Sequence, residues 1–146
     1  MAAQPLAKNL DRNPRTFEEA RQLVKYVESL FSTWNLDAVI EGFTPDCIVR
    51  LSDLPEFKGQ DRLREMFIAR NDGRRNYALV KTLKALMNDV ICNTWECEWF
   101  DGKSGKTMAG FGCEFWTMRD GKIALWEGAF NSWVVGATQP SPFSQK

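Results

Sequence analysis

A chain of 146 residues fits one domain, and its 44% apolar and 12% aromatic content can build a single sizeable core. The 19 basic and 19 acidic residues cancel and no Lys/Arg run exceeds two, which removes the charge footprint of a nucleic-acid or acidic-membrane binder. With no histidine present, Ser-His and Cys-His nucleophile pairs are excluded, and any catalysis falls to carboxylates, Lys, Tyr, Cys or bound water.

Residues 1–14 are polar, lack a continuous apolar core for a signal segment, and read as a flexible N-terminal segment. Nothing elsewhere approaches the roughly 18 apolar residues of a spanning helix, so a cytoplasmic protein with no membrane partner is expected. Thr16 with Glu19 forms a capping box, and Phe17, Ala20, Val24, Val27, Phe31 and Trp34 recur at spacings of three and four. The pattern predicts an amphipathic helix to about Thr33. Asn35 caps a shorter helix over Leu36 to Glu41, which Gly42 ends and Pro45 keeps from continuing. Ile48 to Leu51 is a β-rich run, Pro55 to Gly59 is extended or turn-like, and Gln60 to Arg70 carries Leu63, Met66 and Phe67 on one helical face. The polar stretch Asn71 to Asn76 has the composition of a mobile loop and is a candidate lid.

From Tyr77 the period becomes strand-like, and turn signals at Asn88-Asp89, Gly102 to Gly105 and Asp120-Gly121 delimit four strands of an antiparallel meander. Residues 15–135 form one domain on this reading, and residues 136–146 a disordered tail. Cys47, Cys92, Cys97 and Cys113 show no C-x-x-C spacing and read as structural thiols.

Tight hairpins set register. The Asp120-Gly121 turn puts Arg119 opposite Lys122, and counting back from it places Glu114 directly opposite Glu127. Met108, Gly110, Gly112 and Trp116 share that face with Leu125, Ala129, Asn131 and Trp133. A four-residue loop at Gly102 to Gly105 adds Ile91, Asn93, Trp95, Cys97 and Trp99, with Asn93 beside Glu114. A two-residue Asn88-Asp89 turn then sets Lys84 beside Asn93. The face is apolar with a polar centre, and its two glycines leave space. Facing carboxyls in such surroundings require a shared proton or a cation between them. The cluster has two readings. In one, it is an acid-base site at the bottom of an aromatic pocket. In the other it is a structural network in which Lys84, Arg50 or Arg64 neutralises the glutamates.

The opposite face carries Thr94, Glu96, Glu98, Phe100, Phe111, Cys113, Phe115, Trp126 and Phe130, which is too apolar for solvent. Helices can cover only one side, so a homodimer through the outer face is expected, the alternative being that the C-terminal tail folds back over it. Trp34 closes the first helix on its apolar stripe and reads as core whose indole edge can line a pocket mouth. Tyr26 lies off that stripe, as an interfacial residue or a hydrogen-bond donor to the pocket.

W-N-x-D-A-V-x-x-G-F-T-P-D-C-I at Trp34 to Ile48 and E-F-K-G-x-x-x-L-R at Glu56 to Arg64, in this element order, resemble the SnoaL-like branch of the nuclear transport factor two-like superfamily. An uncharacterised bacterial group within it has strands reading E-W-x-D, G-x-E-x-W and E-x-x-x-N, which stand here at Glu98 to Asp101, Gly112 to Trp116 and Glu127 to Asn131. The resemblance covers about Phe17 to Val135. It implies an α+β fold, a strongly curved antiparallel sheet packed on three N-terminal helices into a cone-like α+β barrel, and a dimer. In relatives the pocket serves polyketide cyclases, ketosteroid isomerases, epoxide hydrolases, dehydratases or non-catalytic binding modules. The cyclase and isomerase relatives often use an Asp or His, for which this chain offers Glu114 and Glu127, and the Asp-Arg-Asp arrangement of the epoxide-hydrolase relatives has no match.

Together these readings lead to a cofactor-independent isomerase, cyclase or lyase acting on a small apolar carbonyl or cyclic ligand. Glu127 is the expected base, Glu114 its protonated partner, and Asn93 and Asn131 orient the substrate. Trp34, Arg50, Lys84, Trp95, Trp99 and Trp116 are the expected ligand contacts, with no metal. The rival reading is a binding or accessory module in which the same cluster orients a ligand and no proton moves.

Overall fold

The structure, a computed structural model, describes residues 11–137. The expectations for residues 1–10 and 138–146 lie outside the described residues. Helix α1 (Phe17–Ser32) starts at its predicted cap, where the Thr16 hydroxyl accepts from the Glu19 N–H at 3.1 Å. The Glu19 carboxylate turns outward to the Arg15 N–H at 2.7 Å and the Arg12 guanidinium at 2.7 Å. Asn13 donates to Asp89 at 2.9 Å and accepts from the Gly121 N–H at 2.9 Å. Arg12 and Asn13, expected in a flexible segment, are thus tied to the helix start and to two hairpin turns.

Helix α2 (Leu36–Glu41) comes after a turn in which the Asn35 N–H reaches the Leu30 carbonyl at 2.8 Å. That closure sets Trp34 at φ 51°, a left-handed position usually held by glycine. Strand β1 (Phe43–Leu51) is longer than the predicted Ile48 to Leu51 run. Its pairing is interrupted between Phe43 and Ile48, the stretch containing Pro45, which has no N–H to donate. After β2 (Phe57–Lys58) comes α3 (Gln60–Asn71), and then β3 (Arg74–Met87), β4 (Val90–Asp101), β5 (Lys106–Arg119) and β6 (Lys122–Val134). Asn71 closes the helix and Arg74 opens the strand, so the expected mobile loop at Asn71 to Asn76 shrinks to a turn at Asp72-Gly73.

The six strands form one sheet in the order β2-β1-β6-β5-β4-β3, antiparallel except for the β1–β6 pair. This is the curved, open α+β cone packed on three helices, as expected. Ala20 and Val24 of α1, Leu63 and Phe67 of α3, and Val49, Ile91 and Trp116 of the sheet meet in one core cluster.

Registers across the meander decide what faces that core. Between β4 and β5, Asn93 pairs with Glu114, Trp95 with Gly112 and Cys97 with Gly110, as the hairpin lengths predict. The room left by the glycines is taken by cross-strand side chains, because a Cβ added at Gly112 would come within 2.5 Å of the Trp95 indole. Between β5 and β6, Arg119 pairs with Lys122 and Met118 with Ile123 as expected, but a bulge at Ala124 sets Thr117 opposite Leu125. Every later residue of β6 changes face. Glu114 therefore lies opposite Gly128, while Glu127 pairs with Phe115 on the outer face.

The physical reason for the slip lies outside the hairpin. The Met118 N–H bonds to the Asp89 carbonyl at 2.8 Å, and the Ile123 N–H to the Gly42 carbonyl at 2.8 Å. The same slip brings Trp126 and Phe130 inward in place of Glu127 and Asn131. These partly buried aromatics remove apolar area from water, and a second carboxylate on the inner face is avoided.

If Gly112 is kept bare for the Trp95 ring, Gly112→Ala should cost about 1–3 kcal/mol in urea unfolding and shift the tryptophan emission of the folded state. Unchanged stability and emission would show that Trp95 has another seat.

Candidate functional site

Two hollows open between the helices and the inner sheet face. The first, about 220 Å³, is walled by Phe31, Trp34, Phe67, Trp95, Trp99 and Phe130, and carries Asp53, Arg70, Arg74, Tyr77, Lys81, Cys97 and Glu114 as its polar groups. The second, about 670 Å³, lies against α1 and α2 and includes Tyr26, Asn35 and Trp116. Both are lined by Phe31, Phe67, Lys81, Glu114 and Trp126, which places an acid and a base at their common wall.

Lys81 and Glu114 form a buried ion pair, with side chains 6% and 2% exposed. The ammonium donates to Glu114 Oε1, and Trp126 Nε1–H donates to Oε2 at 2.8 Å. The ammonium also lies 5.4 Å from the centre of the Trp116 ring. Both Glu114 oxygens therefore have a donor.

Lys81 points inward because Leu79, Lys81 and Leu83 alternate on the buried side of β3. Its main chain is held as well. Lys25 of α1 donates to the Lys81 carbonyl at 2.7 Å, the Lys81 N–H donates to Glu28 at 2.9 Å, and Lys25 and Glu28 pair at 2.8 Å. Since β3 ends the sheet, this helix pair satisfies main-chain groups that have no neighbouring strand.

The expected site residues divide between the two sheet faces. Glu114, Asn93, Trp95 and Trp99 are inward, and Trp34 closes the first hollow from the α1–α2 turn. Trp116 lines the second hollow. Asn93, 1% exposed, has no hydrogen-bond partner for either amide atom among the described residues. Glu127 is displaced to the outer face by the bulge at Ala124, where Arg50 donates to it at 3.3 Å. Arg50 also pairs with Glu56 at 3.1 Å, so both charges of that expected cluster belong to the outer surface. Asn131 pairs with Phe111 there and is exposed. Lys84 is the extra residue of a β3 bulge that pairs Leu83 with Asn93, and it points to solvent. Arg64, the third cation considered, pairs with Asp37 at 2.8 Å.

Sequence reasoning missed Lys81, Trp126, Tyr77 and Arg74. The Leu79-x-Lys81-x-Leu83 alternation is a readable signal for Lys81. Arg74 was hidden in a stretch taken for a loop. A second bulge between Arg75 and Ala78, with Asn76 at φ 53°, turns Arg74 toward the hollow. Burial pushes the Tyr77 hydroxyl above its ordinary value, and burial likewise raises the Cys97 thiol beside it, so both remain protonated donors at neutral pH. Among the described residues no cluster of three or more Cys, Asp or Glu is placed to hold a metal ion. None of the four cysteines is in a disulfide.

The ion pair has a measurable signature in stability. Lys81→Met alone strands a buried carboxylate and should cost about 3–5 kcal/mol in urea unfolding, whereas Lys81→Met with Glu114→Leu should regain most of that loss. A double variant as unstable as the single one would mean that the cost came from lost packing.

The fold is the α+β cone seen in solved nuclear transport factor two-like proteins. The chain belongs to the DUF1348 family, described as a protein of unknown function, which it matches over residues 13–139. No curated protein matches the sequence. Among solved structures, it is similar to a Bacillus subtilis protein provisionally described as an isomerase, with TM-score 0.69 and 11% identity over 81% of this chain and 90% of that one. Another is a Xanthomonas campestris protein provisionally described as a polyketide cyclase, with TM-score 0.66 and 19% identity over 78% and 91%. A third is the epoxide hydrolase/cyclase-like enzyme SalBIII, which has a role in pyran ring formation in the polyether salinomycin, with TM-score 0.69 and 14% identity over 80% and 96%. Identities this low establish a shared fold. No helix among the described residues is long and apolar enough to cross a membrane.

Proposed function

We propose that the protein is a cytoplasmic, cofactor-independent isomerase, cyclase or lyase that moves a proton on a small, largely apolar carbonyl or cyclic compound. Glu114 is the proton-transfer group and Lys81 its electrostatic partner. The observation that carries this reading is the buried Lys81–Glu114 pair at the wall common to both hollows. The proton of a carbon next to a carbonyl passes to a Glu114 oxygen, and the electron pair moves onto the carbonyl oxygen. Lys81, with three N–H donors, holds that oxyanion while keeping its contact to Glu114. Return of the proton at another carbon is an isomerisation, and attack of the enolate carbon on an internal carbonyl carbon, whose C=O π bond opens to an alkoxide that takes the proton from Glu114, is a cyclisation. The isomerase, cyclase and epoxide-hydrolase descriptions of the structural relatives support this class of chemistry. The unpaired thiols are in keeping with a reducing compartment.

Deuterium uptake by a cyclic ketone in D₂O, monitored by proton NMR, tests the proposal. The wild type should exchange the carbon-bound protons faster than buffer, and Glu114→Gln should lower the rate by about 10²- to 10⁴-fold while its thermal melt stays cooperative. The rival, a binding module, draws on the fact that both Glu114 oxygens already have donors. It predicts ketone binding with no exchange above buffer in the wild type.

The protein is also proposed to be a homodimer through the outer sheet face. Phe111 and Phe115, each 46% exposed, stand there with Cys113 between them, while all three helices occupy the other side. Phe115→Glu should weaken self-association about tenfold or more in sedimentation equilibrium, in keeping with a charge placed in an apolar interface. A wild type that sediments as a monomer at high concentration would exclude the dimer.

A further inference from the structure

The first hollow contains a charge that the proton-transfer reading does not use. Its polar groups include three cations, Arg70, Arg74 and Lys81, and two carboxylates, Asp53 and Glu114. Arg70 donates to both Asp53 oxygens at 2.8 Å, and Lys81 is paired with Glu114. Arg74 has no carboxylate partner among the described residues, and its Nε has no hydrogen-bond partner there. Instead the guanidinium lies 4.3 Å from the Tyr77 ring centre and 4.7 Å from that of Trp99. Stacking of this kind orients an arginine but does not neutralise it.

Burial presses the Arg74 guanidinium toward its neutral form, yet arginine does not give up its proton in proteins. Among the described residues the hollow therefore holds one uncompensated positive charge, a costly arrangement until an anion arrives. The β3 bulge that turns Arg74 inward makes the arrangement specific to this strand, because regular pairing would have turned Arg75 to the same face.

We propose that the first hollow takes a small monoanionic carboxylic acid with an apolar or cyclic body, and that Arg74 binds its carboxylate. One unpaired cation matches one negative charge, and a guanidinium presents two parallel N–H donors to the two oxygens of a carboxylate. The Tyr77 hydroxyl beside it remains a donor. Trp95 and Phe130, 5.6 Å apart between ring centres, wall the apolar stretch of the same hollow, and Lys81–Glu114 lies on its lining as well. At about 220 Å³ the space suits a ligand smaller than the drug-sized molecules that fill pockets of roughly 300–1,000 Å³. The inference rests on the hollow being a ligand site, as proposed above, but not on proton transfer.

Cyclohexanecarboxylate and its uncharged amide, titrated into the full chain and monitored by the tryptophan indole N–H signals in nitrogen-resolved NMR, test it. The carboxylate should bind about tenfold or more tightly than the amide, as expected for a charge-assisted bidentate contact, and should shift the Trp99 signal. Arg74→Met should bring the two affinities to within about twofold. Should Arg74→Met fail to fold, the acid and amide comparison in the wild type, with Arg74→Gln as the second variant, decides the matter alone. Equal binding of acid and amide, or a preference that survives loss of Arg74, overturns the carboxylate site and leaves the hollow as a neutral-ligand pocket. If neither compound shifts any pocket tryptophan, the ligand-site reading and this one both fail. A preference for the carboxylate in a protein that exchanges no ketone protons would sustain this inference and remove only the proton-transfer reading.

Discussion

The arrangement depends on a lysine and a glutamate that have left water together. Burying either alone would be prohibitive, so Lys81 and Glu114 constrain each other, and the elements that hold them must stay in register. Glu114 is fixed by β5 and by the Trp126 indole of β6, and Lys81 by β3 and by the Lys25–Glu28 pair of α1. A pairing of two side chains thus ties the first helix to the last strand. The wall between the hollows is accordingly polar at its centre and aromatic around it, with Phe67 and Trp126 stacked at 5.7 Å and Phe31 5.4 Å from Phe67.

Backbone irregularities do much to determine which charges reach the interior. The β3 bulge near Lys84 expels one lysine and leaves Lys81 inside, the bulge near Asn76 turns Arg74 inward, and the bulge at Ala124 exchanges Glu127 for Trp126. Each inserts one extra residue, and each shifts the strand residues beyond it to the opposite face. The same device gives the protein one buried carboxylate at the ion pair instead of two facing ones.

Much of the architecture was legible because it depends on local signals. Thr16, Asn35 and the Asp120-Gly121 turn act within a few residues of themselves, and they suffice to locate the helix starts and the last hairpin. Asn93 opposite Glu114 was equally accessible, since only the short loop between β4 and β5 had to be counted. The β6 register was not. Its slip is held by carbonyls of Asp89 and Gly42, which lie far away in the chain, and by the parallel pairing with β1 that Pro45 interrupts. Arg74 was hidden for a related reason, since the polar composition of its surroundings resembles a loop while its main chain pairs with Asp101.

The salt link that braces Lys81 also has a bearing on assembly. With Lys25 and Glu28 occupying the carbonyl and the N–H of Lys81 on the free edge of β3, and a strand of two residues at the far end of the sheet, the ladder open to an incoming chain is broken in mid-strand at one border and short at the other. Growth by strand addition, the route to fibres and to swapped sheets, is disfavoured at both margins.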